Sequence, residues 1–376
     1  MAGRLVIIAD DLTGAIDTGV QFSRAGISTL VTTRDARHGQ VPEGQATALV
    51  IDIESRDLPP EQAAARVERC VAAARRAGVQ LFYKKTDSTL RGNVGAELAA
   101  LLCSTGAQRL YFVPALPAAG RVTRGGAQWV DGVPLAPSIG ALIGSQTKVA
   151  VVSVPRGADP EPILANGPGP AIIVFDAETD ADLARIAGWL AALPAPLLLA
   201  GCAGFASALP GVLPLPRSPA PGIRLRPPLL LLCGSRNAVS RAQLREAEAR
   251  GVASWPTGAA GAADVCHRLG TDGIAILKTP DADSSGSVGA LARLAREVWT
   301  RVPVGTIAVF GGDTAYAVLK ELEAPAVVPV REICQGTVAC RLGASLAADM
   351  GFITKAGGFG PTDVIKRIQE ALTQEG

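Results

Sequence analysis

The sequence predicts an α/β protein with two domains, each with a mainly parallel or mixed sheet flanked by helices. Short continuous apolar runs, such as Leu5–Ala9 and Leu229–Cys233, are typical of strands buried on both faces, and amphipathic helical stretches alternate with them. The 42 glycines and 27 prolines supply tight turns between short elements. With 376 residues, 48% of them hydrophobic, the chain is long enough for two hydrophobic cores.

In the first half, predicted strands and helices follow one another regularly. The predicted strands are Leu5–Ala9, 29–33, 48–53, 80–84, Arg109–Val113, 148–154 and 171–176. The predicted helices are 13–25, 60–77, 95–104 and 181–193. The apolar stretch 197–215 is interrupted by glycine and proline, and we interpret it as core plus loop.

A proline-rich stretch divides the chain. Residues 214–228 suit a stiff, extended linker, which predicts an N-terminal domain at 1–213 and a C-terminal domain at 229–376. The strands predicted in the second half are Leu229–Cys233, 273–278 and Thr306–Phe310, and the helices are 240–250, 314–322 and 364–371.

Composition excludes several classes of protein. The net charge is +2, from 36 basic and 34 acidic residues, and no basic block stands out, so a nucleic-acid partner is not expected. Neither a secretory signal nor about 20 unbroken apolar residues is visible, so we expect no membrane partner and a cytoplasmic location. The seven cysteines form no CxxC pair and there are two histidines, which indicates reduced cysteines and no zinc site.

Two adjacent acids, Asp10 and Asp11, follow the strand Leu5–Ala9 and precede a predicted helix. In open α/β sheets, ligands bind at the carboxyl ends of the strands. Such a pair can accept hydrogen bonds from sugar hydroxyls, hold a metal ion or take a proton from an attacking hydroxyl. A helix cap would account for one of the two acids but not for both.

A second polar cluster follows the strand predicted at 80–84. Its polar members are Lys84, Lys85, Thr86, Asp87, Ser88, Thr89, Arg91 and Asn93. This density of charges and hydroxyls fits recognition of a polar anion, since arginine binds a carboxylate through two hydrogen bonds and lysine adds a point charge. The alternative is a solvated turn. A third loop, after Arg109–Val113, carries Arg121, a weaker candidate for an anion contact.

The second half contains three glycine-rich turns. They are Gly234-Ser235 after Leu229–Cys233, Gly311-Gly312-Asp313-Thr314 after Thr306–Phe310, and the stretch 354–360 with Lys355 and Gly357. Glycine lets a phosphate approach the backbone, and a helix N-terminus offers free N–H groups. The P-loop spacing is absent, and each turn alone has a plain structural explanation. Together they predict nucleotide binding.

Long motifs in both halves resemble the four-carbon acid sugar kinase family. The matching stretches are IADDLTGAIDTGVQF from Ile8, KKTDSTLRGNVGAEL from Lys84, PALPAAGRVT from Pro114, GCAGFASAL from Gly201, GGDTAYAVL from Gly311 and KAGGFG from Lys355. The resemblance spans nearly the whole chain. It implies an N-terminal substrate domain, a C-terminal nucleotide-binding domain, and ATP-dependent phosphorylation of an acid such as threonate, erythronate or 3-oxo-tetronate.

The resemblance also implies roles for individual residues. The expected substrate contacts are Asp10, Asp11, Lys85, Asp87, Ser88, Arg91, Asn93 and Arg121. The expected nucleotide contacts are Ser235, Gly311, Gly312, Asp313, Thr314, Lys355 and Gly357. Asp11 or Asp87 is the predicted proton acceptor, Mg²⁺ is expected to bridge phosphate oxygens without a dedicated protein site, and domain closure is expected to bring the phosphate to the hydroxyl. A homodimer is a generic expectation.

Two other functions remain open at this point. The family often has a GSCS-like turn, a GGET turn and a KSGNFG loop, whereas this chain has Arg236 and Asn237 in the first, Asp313 in the second and Ala356 and Gly358 in the third. These departures motivate an acid-sugar binding or sensor protein that has lost phosphoryl transfer. A lyase or aldolase that forms a Schiff base through Lys84 or Lys85 is the other hypothesis.

Overall fold

The computed structural model describes residues 4–32, 46–218, 222–259, 261–280, 287–343 and 349–373. The chain divides into two compact units, Met1–Pro219 and Ala220–Gly376. The predicted linker 214–228 includes this division. That the first unit binds the substrate and the second binds the nucleotide stays a prediction. Within both units strands and helices alternate, which confirms the predicted α/β class.

Eight strands of the N-terminal unit form a parallel sheet, and three form a small antiparallel one. The strands in chain order are β1 (Leu5–Ala9), β2 (Thr29–Thr32), β3 (Ala48–Asp52), β4 (Leu81–Lys85), β5 (Arg109–Val113), β6 (Arg121–Arg124), β7 (Ala127–Val130), β8 (Val133–Pro134), β9 (Ala150–Val154), β10 (Ala171–Phe175) and β11 (Leu197–Gly201). The parallel sheet has the order β2-β3-β1-β4-β11-β5-β10-β9, and β6-β7-β8 is the antiparallel sheet.

Helices cover the parallel sheet of this unit. They are α1 (Leu12–Ser23), α2 (Pro60–Arg76), α3 (Val94–Thr105), α4 (Ile139–Gln146), α5 (Pro160–Ala165), α6 (Asp180–Ala191) and α7 (Ala203–Ala208). All five residues of β1, β3, β10 and β11 are buried, as expected for strands covered on both faces. One hydrophobic cluster joins strand side chains such as Phe82 and Phe112 to Val67, Leu98 and Leu101 of the helices.

The C-terminal unit has a mixed sheet in the order β13-β14-β12-β15-β18-β17-β16. Its strands are β12 (Leu229–Cys233), β13 (Ser254–Pro256), β14 (Ile274–Lys278), β15 (Thr306–Phe310), β16 (Ala326–Cys334), β17 (Thr337–Leu342) and β18 (Gly351–Lys355). Its helices are α8 (Ala238–Ala249), α9 (Ala262–Asp272), α10 (Ser287–Arg301), α11 (Gly312–Glu321) and α12 (Val364–Thr373). The five neighbouring strands β13, β14, β12, β15 and β18 pair parallel with one another. β17 pairs antiparallel with both β16 and β18.

The strand register brings the polar turns of each unit to one edge. In the N-terminal unit Ala9 pairs with Asp52 and Lys85, and Lys85 pairs with Gly201, so β1, β3, β4 and β11 end level with one another. In the C-terminal unit Phe310 pairs with both Cys233 and Lys355, so β12, β15 and β18 end level too. The residues that follow these strands are therefore neighbours.

The stretch 197–215, interpreted as core plus loop, contains a buried strand and a short helix before its irregular part. The stretch begins with β11, a central strand of the sheet, and continues into α7, which ends at Ala208. Gly201 permits this tight strand-to-helix connection, because a β-carbon there would collide with the carbonyl oxygen of Val113. Gly201 and Gly204 thus mark close packing in the core part of the stretch, whereas Gly211 lies in open space in its irregular part.

Candidate functional site

Arg56 is the centre of the polar edge in the N-terminal unit. Its guanidinium lies 2.7 Å from Asp10 Oδ2, 2.8 Å from Asp11 Oδ2 and 3.7 Å from Asp87 Oδ1. Burial opposes the charge of Arg56, but these three carboxylates outweigh it and raise its pKa above the usual value. One arginine thus holds together acids that come from two separate predicted clusters.

The two acids after β1 are used differently. Asp11 caps α1, since its Oδ1 accepts the backbone N–H of Gly14 at 3.0 Å and its Oδ2 accepts the Thr13 hydroxyl at 2.9 Å. Burial alone would raise the pKa of Asp11, but the charges of Arg56 and Lys85 lower it. Asp10 Oδ1, in contrast, is buried and has no hydrogen-bond partner in the described part of the chain. An orphaned buried acceptor of this kind indicates a position for a ligand hydroxyl or a water.

Asp87 organises the turn after β4. Its carboxylate accepts hydrogen bonds from the Arg91 side chain at 2.7 and 3.0 Å and from the backbone N–H of Thr89 at 3.1 Å. Burial would raise the pKa of Asp87, but these hydrogen bonds and the charge of Arg56 hold it well below its usual range. Asp87 is therefore a fixed anion, and Arg91, whose side chain is 66% exposed, is its partner.

The two lysines at the end of β4 have separate environments. Lys84 is fully buried, and its Nζ lies 2.8 Å from Glu97 Oε2. Lys85 Nζ donates to the backbone oxygen of Thr86 at 2.7 Å and lies at the start of α1, where a β-carbon on Gly14 would approach it to 2.7 Å. Because an ammonium carries three N–H donors, Lys85 retains capacity to bind an anion beside Asp11.

The remaining predicted substrate residues surround this group. Arg121, on β6, donates to the Ser88 hydroxyl, which brings the second and third predicted loops together. The Asn93 amide donates to the backbone oxygens of Ser55 at 2.9 Å and Leu58 at 2.8 Å. Asn93 thus supports the loop that presents Arg56, which is a positioning contact.

Sequence reasoning missed three residues of this edge. Arg56 follows β3 directly, in the stretch Glu54-Ser55-Arg56, and the same signal of polar residues after a buried strand would have identified it. Gln128 is fully buried and donates to the backbone oxygen of Ser88 at 3.0 Å, which anchors β7 and the neighbouring β6 beside the site. Asp52 is buried at the end of β3, and its Oδ2 has no described partner. Burial raises the pKa of Asp52 well above its usual range.

Glycine-rich turns form the corresponding edge of the C-terminal unit. Gly311 has φ 104°, a conformation that other residues rarely adopt, and a β-carbon there would lie 3.3 Å from that of Ser235. Gly234 packs against the Thr314 hydroxyl with no room for a side chain, and a β-carbon on Gly357 would lie 2.7 Å from Ser235 Oγ. The three predicted turns are therefore in contact around Ser235.

Helix N-termini add donors to these turns. α11 begins at Gly312 and α8 at Ala238, and free N–H groups with a favourable dipole at such positions suit phosphate. The Asp313 carboxylate is exposed in the first turn of α11. Among the described residues, no cluster of three or more His, Cys, Asp or Glu side chains could hold a metal ion.

The side chain of Lys355, an expected nucleotide contact, is buried beneath the turn that follows β18. Its Nζ points into the protein and donates to the backbone oxygens of Ala356 at 2.9 Å and Gly357 at 3.2 Å. The ammonium also lies 4.8 Å from the centre of the Phe310 ring. Burial lowers the pKa of Lys355 to about 8.

Family models match a large part of each unit, and known relatives align along nearly the whole chain. A model of a sugar-binding N-terminal domain matches residues 5–209, and a model of a nucleotide-binding C-terminal domain matches residues 271–365. A D-threonate kinase of Bordetella bronchiseptica is 32% identical over an alignment of 403 positions, which covers 98% of this chain and 97% of that protein. A D-threonate kinase of Cupriavidus necator is 33% identical over an alignment of 426 positions, which covers 98% of each chain.

Further comparisons extend the family and support the fold. A 3-oxo-tetronate kinase of Cupriavidus necator is 30% identical over 368 residues, which cover 89% of this chain and 80% of that protein. A solved structure of a Haemophilus influenzae protein superposes with a TM-score of 0.73 over 98% of this chain and all of that one, at 21% identity, which shows the same fold. No described helix is both long and apolar enough to span a bilayer. With both domain models matched in order and relatives aligned from end to end, the chain belongs to the four-carbon acid sugar kinase family and is an acid sugar kinase.

Proposed function

We propose that the protein transfers the γ-phosphoryl group of ATP, as its magnesium complex, to a hydroxyl of a four-carbon acid sugar of the threonate type. The observation that carries this proposal is the buried, unpartnered Asp10 Oδ1 in a carboxylate bound to Arg56. Full-length relatives that are D-threonate kinases support the choice of acid. A cytoplasmic location and a homodimer stay predictions.

The acid sugar would bind at the polar edge of the N-terminal unit. Its carboxylate needs cations, and Lys85 Nζ at the start of α1, with Arg121 beside Ser88, provides them. One hydroxyl would donate to Asp10 Oδ1, which otherwise stays unsatisfied in a buried place. Asp11 and Asp87 both contact Arg56, and their role would be to hold the arginine and the two turns in place.

The nucleotide would bind at the glycine-rich edge of the C-terminal unit. The turns around Ser235, Gly311 and Gly357 meet there, the uncapped N-terminus of α11 beside them offers N–H groups to phosphate oxygens, and glycine keeps side chains out of the way. Asp313 would orient the magnesium ion, whose charge neutralises phosphate oxygens when it is bound.

The attacking hydroxyl needs a proton acceptor, although phosphoryl transfer depends mostly on positioning and charge neutralisation. Asp10 fits this role through its free oxygen. The earlier candidates, Asp11 and Asp87, have oxygens occupied by Thr13, Arg56 and Arg91, and the lowered pKa of each makes it a weak base. Asn variants at Asp10, Asp11 and Asp87 compared side by side would assign the role.

A coupled ADP-release assay with ATP and magnesium tests the proposal. The panel would include threonate, erythronate, 3-oxo-tetronates, glycerate and several longer acids. We expect turnover on a four-carbon acid and much less on the others. A thermal shift with one acid, no shift with ATP and no turnover would contradict the proposal and indicate a binding or sensor protein. A borohydride-trapped adduct with an acid substrate would indicate Schiff-base chemistry, which the buried Lys84–Glu97 pair disfavours for Lys84.

A further inference from the structure

The carbonyl groups of the turn after β18 face into the protein. Lys355 Nζ binds the backbone oxygens of Ala356 at 2.9 Å and Gly357 at 3.2 Å, and the Ser240 hydroxyl also donates to Gly357 at 2.8 Å. The Gln243 amide nitrogen, with its two N–H groups, lies within hydrogen-bond distance of three more, the oxygens of Phe359, Gly360 and Pro361, at 3.1, 3.0 and 2.9 Å. Five carbonyls within six residues are thus held by three side chains, which we call the carbonyl cage.

The members of the cage are buried and come from two elements. Lys355 ends β18, whereas Ser240 and Gln243 lie three residues apart on α8 and share one face of that helix. All three side chains are fully buried, and Lys355 Nζ also donates to Ser240 Oγ at 3.2 Å. Burial lowers the pKa of Lys355 to about 8, so the ammonium is charged at neutral pH and attracts the carbonyl oxygens.

Peptide geometry determines where the N–H groups of this turn point. In a trans peptide the C=O of one residue and the N–H of the next point in opposite directions. With the oxygens of Ala356, Gly357 and Phe359 turned toward the cage, the N–H groups of Gly357, Gly358 and Gly360 point away from it. Each of the three belongs to a glycine and carries no side chain of its own, and the polar side chains of Ser235 and Asn237 lie close to Gly357 and Gly358. Successive outward N–H groups of this kind form a concave anion site.

We propose that Lys355, Ser240 and Gln243 are positioning residues that hold the turn in its phosphate-binding shape, so that Lys355 acts on the nucleotide through the backbone of residues 356–361. The ligand class is the phosphate chain of a nucleoside triphosphate, and the inference rests on the proposed function. It differs from the prediction that Lys355 contacts the nucleotide itself.

The most informative variant is Gln243→Met, because Gln243 lies behind the turn and has no free donor for a ligand. We expect its KM for ATP to rise at least tenfold, with the KM for the acid unchanged. Lys355→Met should give the same pattern, and the double variant should be little worse than either single one, since both disrupt one cage. Lys320→Met on the exposed face of α11 and Gln62→Met on α2 are matched controls that should behave as wild type.

Three outcomes decide the inference. A folded Gln243→Met protein with a wild-type KM for ATP, beside a Lys355→Met protein with a raised one, would overturn it and make Lys355 a direct phosphate ligand. If Gln243→Met does not fold, Ser240→Ala replaces it: a several-fold rise in the KM for ATP supports the cage, and no change overturns it. Wild-type protein that neither binds nor hydrolyses ATP would contradict the proposed function instead.

Discussion

The polar sheet edges of the two units have the same strand arrangement but are built from different chemical groups. In each unit, parallel strands end in register and their turns meet, as Ala9 with Lys85 and Phe310 with Lys355 show. The N-terminal edge is built from charged side chains, with three carboxylates around Arg56. The C-terminal edge is built from backbone, with glycine-rich turns in contact around Ser235.

The difference teaches how each edge tolerates change. Ion-paired side chains depend on one another, so removal of the shared cation leaves buried carboxylates uncompensated. Backbone donors depend on the shape of the turn, so a change that denies a glycine its conformation displaces the donors without removing any charge. Variants at the first edge should therefore affect acid binding and stability together, and variants at the second should affect mainly the nucleotide.

The largest effect is expected for Arg56→Met. It leaves Asp10, Asp11 and Asp87 without their common partner, so we expect kcat/KM for the acid to fall about 1,000-fold, equivalent to about 4 kcal/mol. Thermal unfolding should show a loss of about 3 kcal/mol in the free energy of unfolding. Arg69→Met, on the exposed face of α2, is the control, and equal losses in both variants would refute the special role of Arg56.

A second prediction concerns the unpartnered oxygen of Asp10. Asp10→Asn keeps the size of the side chain but weakens its ability to accept a hydroxyl proton, so we expect kcat to fall about 100-fold. The KM for ATP should stay unchanged. Steady-state kinetics beside Asp57→Asn, an exposed acid in the loop after β3, checks this. A larger fall in Asp11→Asn or Asp87→Asn than in Asp10→Asn would return the role of base to those residues.

A third prediction tests the backbone character of the other edge. Gly311→Ala forces a β-carbon onto a residue with φ 104°, which costs about 1–3 kcal/mol of strain and displaces the start of α11. The KM for ATP should rise about 10- to 100-fold while the KM for the acid stays constant. Gly270→Ala in α9, where the space around the glycine is open, is the matched control. Unchanged nucleotide kinetics in a folded Gly311→Ala protein would contradict the backbone account.

The smallest effect is expected at Asp52 and appears in stability. Its pKa is raised in the folded chain, so the stabilisation is complete below the unfolded value near 4 and is lost as the pH rises toward the folded value, because the unfolded chain releases the proton first. Asp52→Asn removes this loss, so its free energy of unfolding relative to wild type should be higher at pH 8 than at pH 4. Urea unfolding at both pH values measures it, and a pH-independent difference would contradict it.

Much of this could be predicted from the sequence. The bounds of β1, β5, β12 and β15 follow from continuous apolar runs, because a strand buried on both faces needs them. The antiparallel pairs of β6 with β7 and of β16 with β17 were not predicted. Most residues of β6 and β7 are partly exposed and give no continuous apolar signal. In β16, Pro329 interrupts the apolar run.

The candidate site shows the same limit at the level of side chains. Charge density identified Asp10, Asp11 and the turn after β4, but pattern alone does not show that Lys84 pairs with Glu97 while Lys85 faces the edge. The inward direction of Lys355 was equally hidden, because a lysine in a glycine-rich turn has the same sequence pattern whether it binds a phosphate or its own backbone.

The most direct test of the comparison is a calorimetric titration of Arg56→Met and Gly311→Ala with threonate and, separately, with a non-hydrolysable ATP analogue and magnesium. We expect opposite changes in affinity. Arg56→Met should no longer bind threonate but should bind the nucleotide as wild type does, whereas Gly311→Ala should bind threonate as wild type does and the nucleotide at least tenfold more weakly. If both folded variants lose the same ligand, or if Arg56→Met binds the acid as wild type does, the assignment of the two edges is wrong.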